Sequence, residues 1–162
     1  MPSPDPGGFD RRSALEIGLT CTYFRARRAT RILADVYDAA LRPHGLKGTQ
    51  FSLLTAIYVL ESTPAGATVG ELASVMASDR TTLSRTLTPL ERDGLLVREP
   101  GEDRRERRVR LTDGGRARLE AAAEAWRRAQ DAVVACVGDA WPALMSGLRA
   151  VDDLEHDKAS RA

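Results

Sequence analysis

The segment from Arg80 to Thr112 reads RTTLSRTLTPLERDGLLVREPGEDRRERRVRLT. Its first part carries hydroxyls and guanidinium groups at Arg80, Thr81, Thr82, Ser84, Arg85, Thr86 and Thr88. Its second part holds five arginines between residues 104 and 110. Short hydroxyl side chains hydrogen-bond phosphate or base edges without holding a helix away from a groove. Arginine reaches guanine edges or the phosphate backbone. A tight turn bearing Arg104, Arg105 and Arg107 suits the minor groove, where a narrow width concentrates negative potential. Each feature taken singly also describes a solvated helix face or a soluble loop. Their order along the chain carries the reading of a duplex-DNA surface.

Those side chains need particular elements to position them. Thr68 with Glu71 three residues on forms a capping box, which starts a helix apolar at Val69, Leu72, Ala73, Val75 and Met76. A break near Ala77–Ser78 precedes a second helix, about Asp79 to Arg92, with Leu83, Leu87 and Leu90 on one face. Its other face is the hydroxyl and arginine set. Pro89 removes one backbone donor and predicts a kink in the second half of that helix. Gly94 is a C-terminal stop. The runs LLVRE and RRVRL flank PGEDRR and read as a β-hairpin. Asp103 is expected to pair with Arg105 and hold its guanidinium in one direction. Helix, break, polar helix and basic hairpin together spell a winged helix-turn-helix.

The flanks are helical. Residues 1–12, MPSPDPGGFDRR, are rich in Pro and Gly and are expected to form a disordered tail. One helix is predicted from about Ser13 to Arg42, ended by Pro43 and Gly45. Thr49 is placed as the cap of a helix over Gln50 to Leu60, apolar nearly all round and so buried. STPAGA is read as a loop. Thr112 or Asp113 starts a long helix to Val137, which Gly138 ends. A last helix begins at Asp139 with Pro142 and runs toward Asp157. The expected fold class is mainly α with a small β-hairpin wing. The expected organisation is a single domain over 13–158, with a winged core at 49–112 and dimerisation helices at 13–48 and 113–158.

Composition narrows the function classes. The 162 residues carry a formal net charge of +1, so the local arginine run, not global charge, points to nucleic acid. No stretch approaches the length of a membrane span, and the N-terminus lacks an apolar signal core, so a cytoplasmic protein is expected. The histidines, His44 and His156, are isolated, and there is no Gly-rich phosphate loop or GxSxG. No enzyme activity, cofactor or metal is expected. Cys21 and Cys136 are too few and too far apart for a disulfide framework or a zinc site.

The stretch TVGELASVMASDRTTLSRTLTPLERDGLLVREPGEDRRERRVRLTDGGRARL resembles the MarR family of bacterial transcription regulators. The wing pattern, Asp103 and Arg105 followed by VRLT, carries most of that likeness. LRPHGLKGTQFSLL resembles the family's join between its first two helices, and the resemblance extends over about residues 15–155. It implies an obligate homodimer with intertwined terminal helices, which binds a pseudo-palindromic promoter site and represses a gene. Carried over by position, it implies recognition contacts from Ser78, Arg80, Thr81, Thr82, Ser84 and Arg85. Arg105 takes the minor-groove role, with Arg104 and Arg107 as added positive charge.

Two modes of sensing stand open at the level of sequence. A small aromatic or phenolic effector would enter a crevice near Tyr23, Tyr37, His44 and Phe51. Alternatively, Cys21 would be an oxidant sensor with Cys136 as a resolving partner. Its position resembles the reactive cysteine of organic-hydroperoxide regulators in the same family, although the spacing to Gln50 differs by about two residues and a second expected tyrosine is missing near Gly48. Both sets of side chains are equally the makings of ordinary packing. A winged-helix module for protein–protein contact is the alternative from another class, and it has no need of the arginine wing.

Overall fold

The computed structural model describes residues 9–62, 67–101 and 107–159. Most of the expected N-terminal tail lies outside them. The chain divides into two compact units, one through Val36 and one from Tyr37 onward, and each is taken by itself.

The first unit is helical. Asp10 caps α1 (Arg11–Thr20) by accepting the Ser13 N–H and hydroxyl at 2.8 Å each. The single helix expected from Ser13 to Arg42 is instead two. The backbone turns extended at Cys21 (φ −64°, ψ 107°), and α2 (Thr22–Leu41) starts afresh. The neighbours explain the break. Thr20 and Thr22 are weak helix formers, and the Cys21 sulfur accepts the Phe24 N–H at 3.5 Å, covering a free donor at the start of α2. Leu15, Ile17, Leu19, Phe24 and Ile32 are each at least half exposed.

The second unit contains the buried core. Leu41 ends α2, and a 3-10 turn (Arg42–His44) leads through Gly45, at φ 69°, into α3 (Gly48–Leu60). This helix starts ahead of the expected cap at Thr49. Lys47 occupies the cap position, and the Gln50 side chain accepts its N–H at 2.9 Å. Asp38 of α2 also accepts the Gly48 N–H at 2.6 Å, which ties the two helices at their join. Phe51, Leu53, Leu54 and Ile57 of α3 are buried.

Three strands and two short helices form the centre. Ala67, the last residue of the stretch read as a loop, forms with the cap residue Thr68 a short strand, β1 (Ala67–Thr68), which the sequence reading missed. Then come α4 (Val69–Val75), α5 (Arg80–Arg92), β2 (Leu96–Pro100) and β3 (Arg107–Leu111). The sheet is antiparallel in the order β1-β3-β2. Two residues are too few to show alternation, and only the free edge of β3 makes a strand there. The Thr68–Glu71 capping box is present in both directions. The expected break follows α4 as a Schellman turn. Ser78 N–H bonds to Ala73 C=O and Ala77 N–H to Ser74 C=O, with Ala77 at φ 45° where glycine is usual. The α5 helix continues through Pro89 to Arg92 and buries Leu83, Leu87 and Leu90.

The long helix α6 (Asp113–Val137) begins against the base of the hairpin. Thr112 caps it by accepting the Gly115 N–H at 3.0 Å, while its hydroxyl donates to the Gly94 carbonyl at 2.6 Å. Thr112 N–H also bonds to the Leu95 carbonyl. A short 3-10 turn (Gly138–Ala140) then leads to α7 (Trp141–Ala159), whose Leu148, Val151 and Leu154 are about half exposed or more. Among the described residues no helix is long and apolar enough to cross a membrane.

A Cβ at Gly115 would overlap the Leu95 carbonyl oxygen and lie 2.9 Å from its carbon. Both are backbone atoms, so no side chain can move to make room. Gly115→Ala is expected to lower stability by about 3 kcal/mol, with overpacking against a rigid backbone as the cause. Urea denaturation of the two proteins checks this; equal midpoints would refute the close approach.

Candidate nucleic-acid interface

The α5 helix sorts its polar side chains by geometry. Asp79 is the N-cap, and one carboxylate oxygen accepts the N–H groups of Thr81 and Thr82 at 2.9 Å each. The other accepts the Thr82 hydroxyl at 2.6 Å. These bonds from Thr82 and Thr81 hold the Asp79 carboxyl below its ordinary pKa. Thr86 and Thr88 donate back to the carbonyls of Thr82 and Ser84. These hydroxyls therefore serve the helix itself. Arg80, Thr81 and Arg85 are exposed, and among the described residues neither arginine has an ion-pair partner.

The sequence reading missed Arg98, which joins the hairpin to this helix. Alternation on β2 turns Leu96 and Arg98 toward α5 and Val97 outward. The guanidinium meets Glu91 at 2.9 Å, Thr88 Oγ1 at 2.9 Å and Ser84 Oγ at 3.4 Å. Ser84, Thr88 and Glu91 stand at i, i+4 and i+7, one stripe of a helix. A signal was present in the sequence: an arginine on the inward face of a short strand needs a polar stripe opposite. Only the fold showed which stripe supplies it.

Five elements open onto a hollow of about 290 Å³, lined by Thr68 of β1, Gly70 of α4, Arg80 and Ser84 of α5, Arg98 of β2 and Arg107 of β3, among others. It brings together arginines from α5, β2 and β3. Gly70 lies beside the Arg80 guanidinium, and a Cβ there would sit 3.4 Å from it, an ordinary contact. Such convergence suits an oxyanion of phosphate size. Of the expected contacts, Arg80, Ser84 and Arg107 line this hollow, Thr81 and Arg85 face solvent, and Ser78 is half-buried at the turn before α5. Thr82 is partly used in capping. Asp103, Arg104 and Arg105 lie outside the described residues, and with them the Asp103–Arg105 pair.

The residues expected around an effector scatter. A cleft of about 680 Å³ between α3 and α6 is lined by Phe51, Tyr58, Arg116, Leu119, Glu120, Trp126 and Arg127, with the smaller Thr55 and Ala123. Phe51 and Trp126 stack at 6.1 Å. Within this unit Phe51 lines the cleft, whereas Tyr37 and His44 do not. Tyr37 donates to Gln130 at 2.5 Å, and burial raises its pKa. His44 sits in the 3-10 turn, where its carbonyl accepts from Arg118. Tyr23, in the first unit, is exposed and accepts from Arg27 at 3.4 Å. Cys21 is half-buried and Cys136 exposed, and both thiols are free. Among the described residues no cluster of metal-ligating side chains occurs. Sequence reasoning missed Trp126 and Arg116, because helix phase alone did not show that they face α3.

Two measurements test the geometry around α5. Arg98→Ala leaves Glu91 unpaired and frees the hairpin from the helix. It is expected to cost about 1–3 kcal/mol in thermal unfolding, and a melting temperature equal to wild type would dismiss the link. Asp79 has a folded pKa below its ordinary 3.8. Its cap is therefore fully present above that range and is lost as pH falls through it. The acid limb of the wild-type stability curve, below about pH 4, is expected to be steeper than that of Asp79→Asn; superimposable limbs would contradict this.

Comparison with known proteins follows the same outline. The sequence profile of the MarR family matches residues 44–106, from the 3-10 turn into the hairpin. The chain is 40% identical to the transcriptional regulator MosR of M. tuberculosis in a complex with DNA, covering 88% of this chain and 99% of that one, with a TM-score of 0.76. It is 27% identical to CouR of Rhodococcus jostii RHA1, a transcriptional repressor solved on a 23-mer DNA duplex, over 90% of this chain and 99% of that one, with a TM-score of 0.71. An uncharacterised HTH-type transcriptional regulator of Bacillus subtilis, YwoH, shares 33% identity over 85 residues, 52% of this chain. That match spans 59% of the B. subtilis regulator's length. With its helix-turn-helix, three-stranded wing and flanking helices, the chain belongs to the MarR family of DNA-binding transcription regulators.

Proposed function

We propose that the protein is a cytoplasmic homodimeric repressor that binds a pseudo-palindromic promoter site and is released by a small aromatic ligand. The hollow where Arg80, Arg98 and Arg107 converge beside the exposed Arg85 carries the DNA reading. In it, α5 enters the major groove and presents Arg80, Thr81 and Arg85 to bases and phosphates. The arginine turn, Arg105 above all, enters the adjacent minor groove, while Arg104 and Arg107 neutralise phosphate. Exposed apolar faces on α1, α2 and α7 support the dimer, because isolated apolar stripes of this kind call for a partner. A two-fold dimer places its two α5 helices about one DNA turn, roughly 34–36 Å, apart.

The cleft between α3 and α6 supports the ligand reading. Its size falls within the usual range for small-molecule sites, and stacked aromatic rings line it. A second reading has a specific observation behind it. The Cys21 sulfur caps α2, so oxidation there would uncap the helix.

Fluorescence anisotropy against the DNA upstream of its own gene tests both, at two salt concentrations, reduced and then peroxide-treated. Tight binding that weakens steeply with salt is expected. Arg85→Ala should lose about 1–3 kcal/mol if its contact is bidentate to a base. If the contact is to phosphate, it should instead flatten the salt slope by about one unit. Loss of binding on oxidation, restored by reductant, would move the sensor to Cys21. Indifference to duplex DNA at low salt would favour a protein-interaction module.

A further inference from the structure

Glu61 closes the C-terminal end of α3, and its side chain is about nine-tenths buried. A carboxylate placed there needs partners, and two contacts supply them. Oε2 accepts the backbone N–H of Leu111, the last residue of β3, at 3.2 Å. Oε1 meets the Arg116 guanidinium of α6 at 2.5 Å, as an ion pair rather than an aligned hydrogen bond. Strand geometry explains the first contact. Thr112 N–H bonds to the Leu95 carbonyl, so Leu96 and Leu111 face each other as a pair without hydrogen bonds of its own. Leu111 N–H therefore points away from β2, to the edge of β3 on which β1 lies. Among the described residues β1 reaches only Val109 and Arg108. At Leu111 a side chain takes the place of a strand.

We infer that Glu61 is a positioning residue for DNA binding, which fixes the angle at which the hairpin carries its arginines. The inference rests on the wing reading above and adds the residue that aims the wing. Two ties on different strands set the hairpin's direction. Arg98 ties β2 to α5, and Glu61 ties β3 to α3. With one of them gone, the hairpin pivots about the other. From Leu111 to Arg107 is four strand steps, about 13 Å, so a tilt of about 10° at the base moves the far end by about 2 Å. That exceeds the range over which a hydrogen bond to phosphate holds. Arg107 stands at the far end, so its phosphate contact is lost, and with it those that the wing reading gives to Arg104 and Arg105. Arg116 keeps the carboxylate at its post, since a buried carboxylate without a cation is strongly disfavoured.

The test measures the DNA affinity of the full-length protein by fluorescence anisotropy over a series of salt concentrations, on the DNA upstream of its own gene. Glu61→Met keeps the length of the side chain but offers Leu111 no acceptor, whereas Glu61→Gln retains one. Arg107→Ala reports on the wing, alone and combined with Glu61→Met. Glu61→Met is expected to weaken binding about tenfold and to flatten the salt slope by about one unit or more. Glu61→Gln is expected to keep the wild-type slope, with an affinity within about threefold of wild type. Arg107→Ala is expected to flatten the slope by about one unit in the wild type and by less in Glu61→Met, where its contact is already gone. A variant that merely unfolds in part lowers the active concentration and leaves the slope unchanged. A wild-type slope in Glu61→Met, or equal effects of Arg107→Ala in both backgrounds, overturns the positioning role. So does a Glu61→Gln protein that behaves as Glu61→Met. If the wild type shows no salt-steep binding, or Arg107→Ala leaves its slope unchanged, the wing reading itself fails and the positioning role with it. Should Glu61→Met fail to fold, judged by circular dichroism, Arg116→Gln takes its place with the same outcomes decisive, because a carboxylate without its cation turns to solvent and releases Leu111.

Discussion

The backbone of α6 meets the backbone of the hairpin at Gly115 and Leu95, with no side chain between them. Much else depends on that approach. It allows Thr112 to cap α6 and to donate to Gly94 at the same time, so the end of α5, the start of β2 and the start of α6 share one small region. Leu95, Leu96, Val109 and Leu111 are then buried against α5 and α3 as a continuation of the core. The hairpin is consequently a braced arm, its base held by burial and its direction by hydrogen bonds. A two-stranded hairpin without such packing is at best marginal in water.

Bracing alone would not place arginines beside α5; the second link is Arg98. By joining Ser84, Thr88 and Glu91 it sets the hairpin against one stripe of α5. The same stretch thus uses polar side chains in two ways. Asp79, Thr82, Thr86 and Thr88 satisfy the helix, while Arg80, Thr81 and Arg85 stay available to a partner. The first-turn N–H groups need the Asp79 carboxylate as acceptor, and the hydroxyls of Thr82, Thr86 and Thr88 find acceptors for their own protons within α5 and its cap. Division of labour along α5 follows from that requirement.

The cleft and the interface share an element, since α6 starts at the hairpin and lines the cleft with Arg116, Leu119 and Trp126. Glu61 lies at their junction, with one oxygen toward each. Backbone contact between Gly115 and Leu95 brings the start of α6 to this junction. Nothing comparable constrains the exposed apolar faces of α1 and α7, whose burial would require a further surface.

Local signals account for what the sequence by itself determined. The Thr68–Glu71 capping box, the leucine spacing of α5, the stop at Gly94, the alternation in RRVRL and the bounds of α6 need only nearby residues, and each was legible. The family resemblance rested on the same stretch. Tertiary structure decided the rest, because it depends on contacts between residues far apart in the chain. The break at Cys21 interrupted a periodic apolar pattern that shows no punctuating proline. Strand β1 exists because β3 offers it an edge. Arg98 and Glu61 looked like ordinary charged residues until the fold placed a polar stripe before one, and a strand end with an arginine before the other. Phe51 was legible as buried, but its partner Trp126 lies 75 positions away. Periodicity tells which face of a helix is apolar; only packing tells what that face meets.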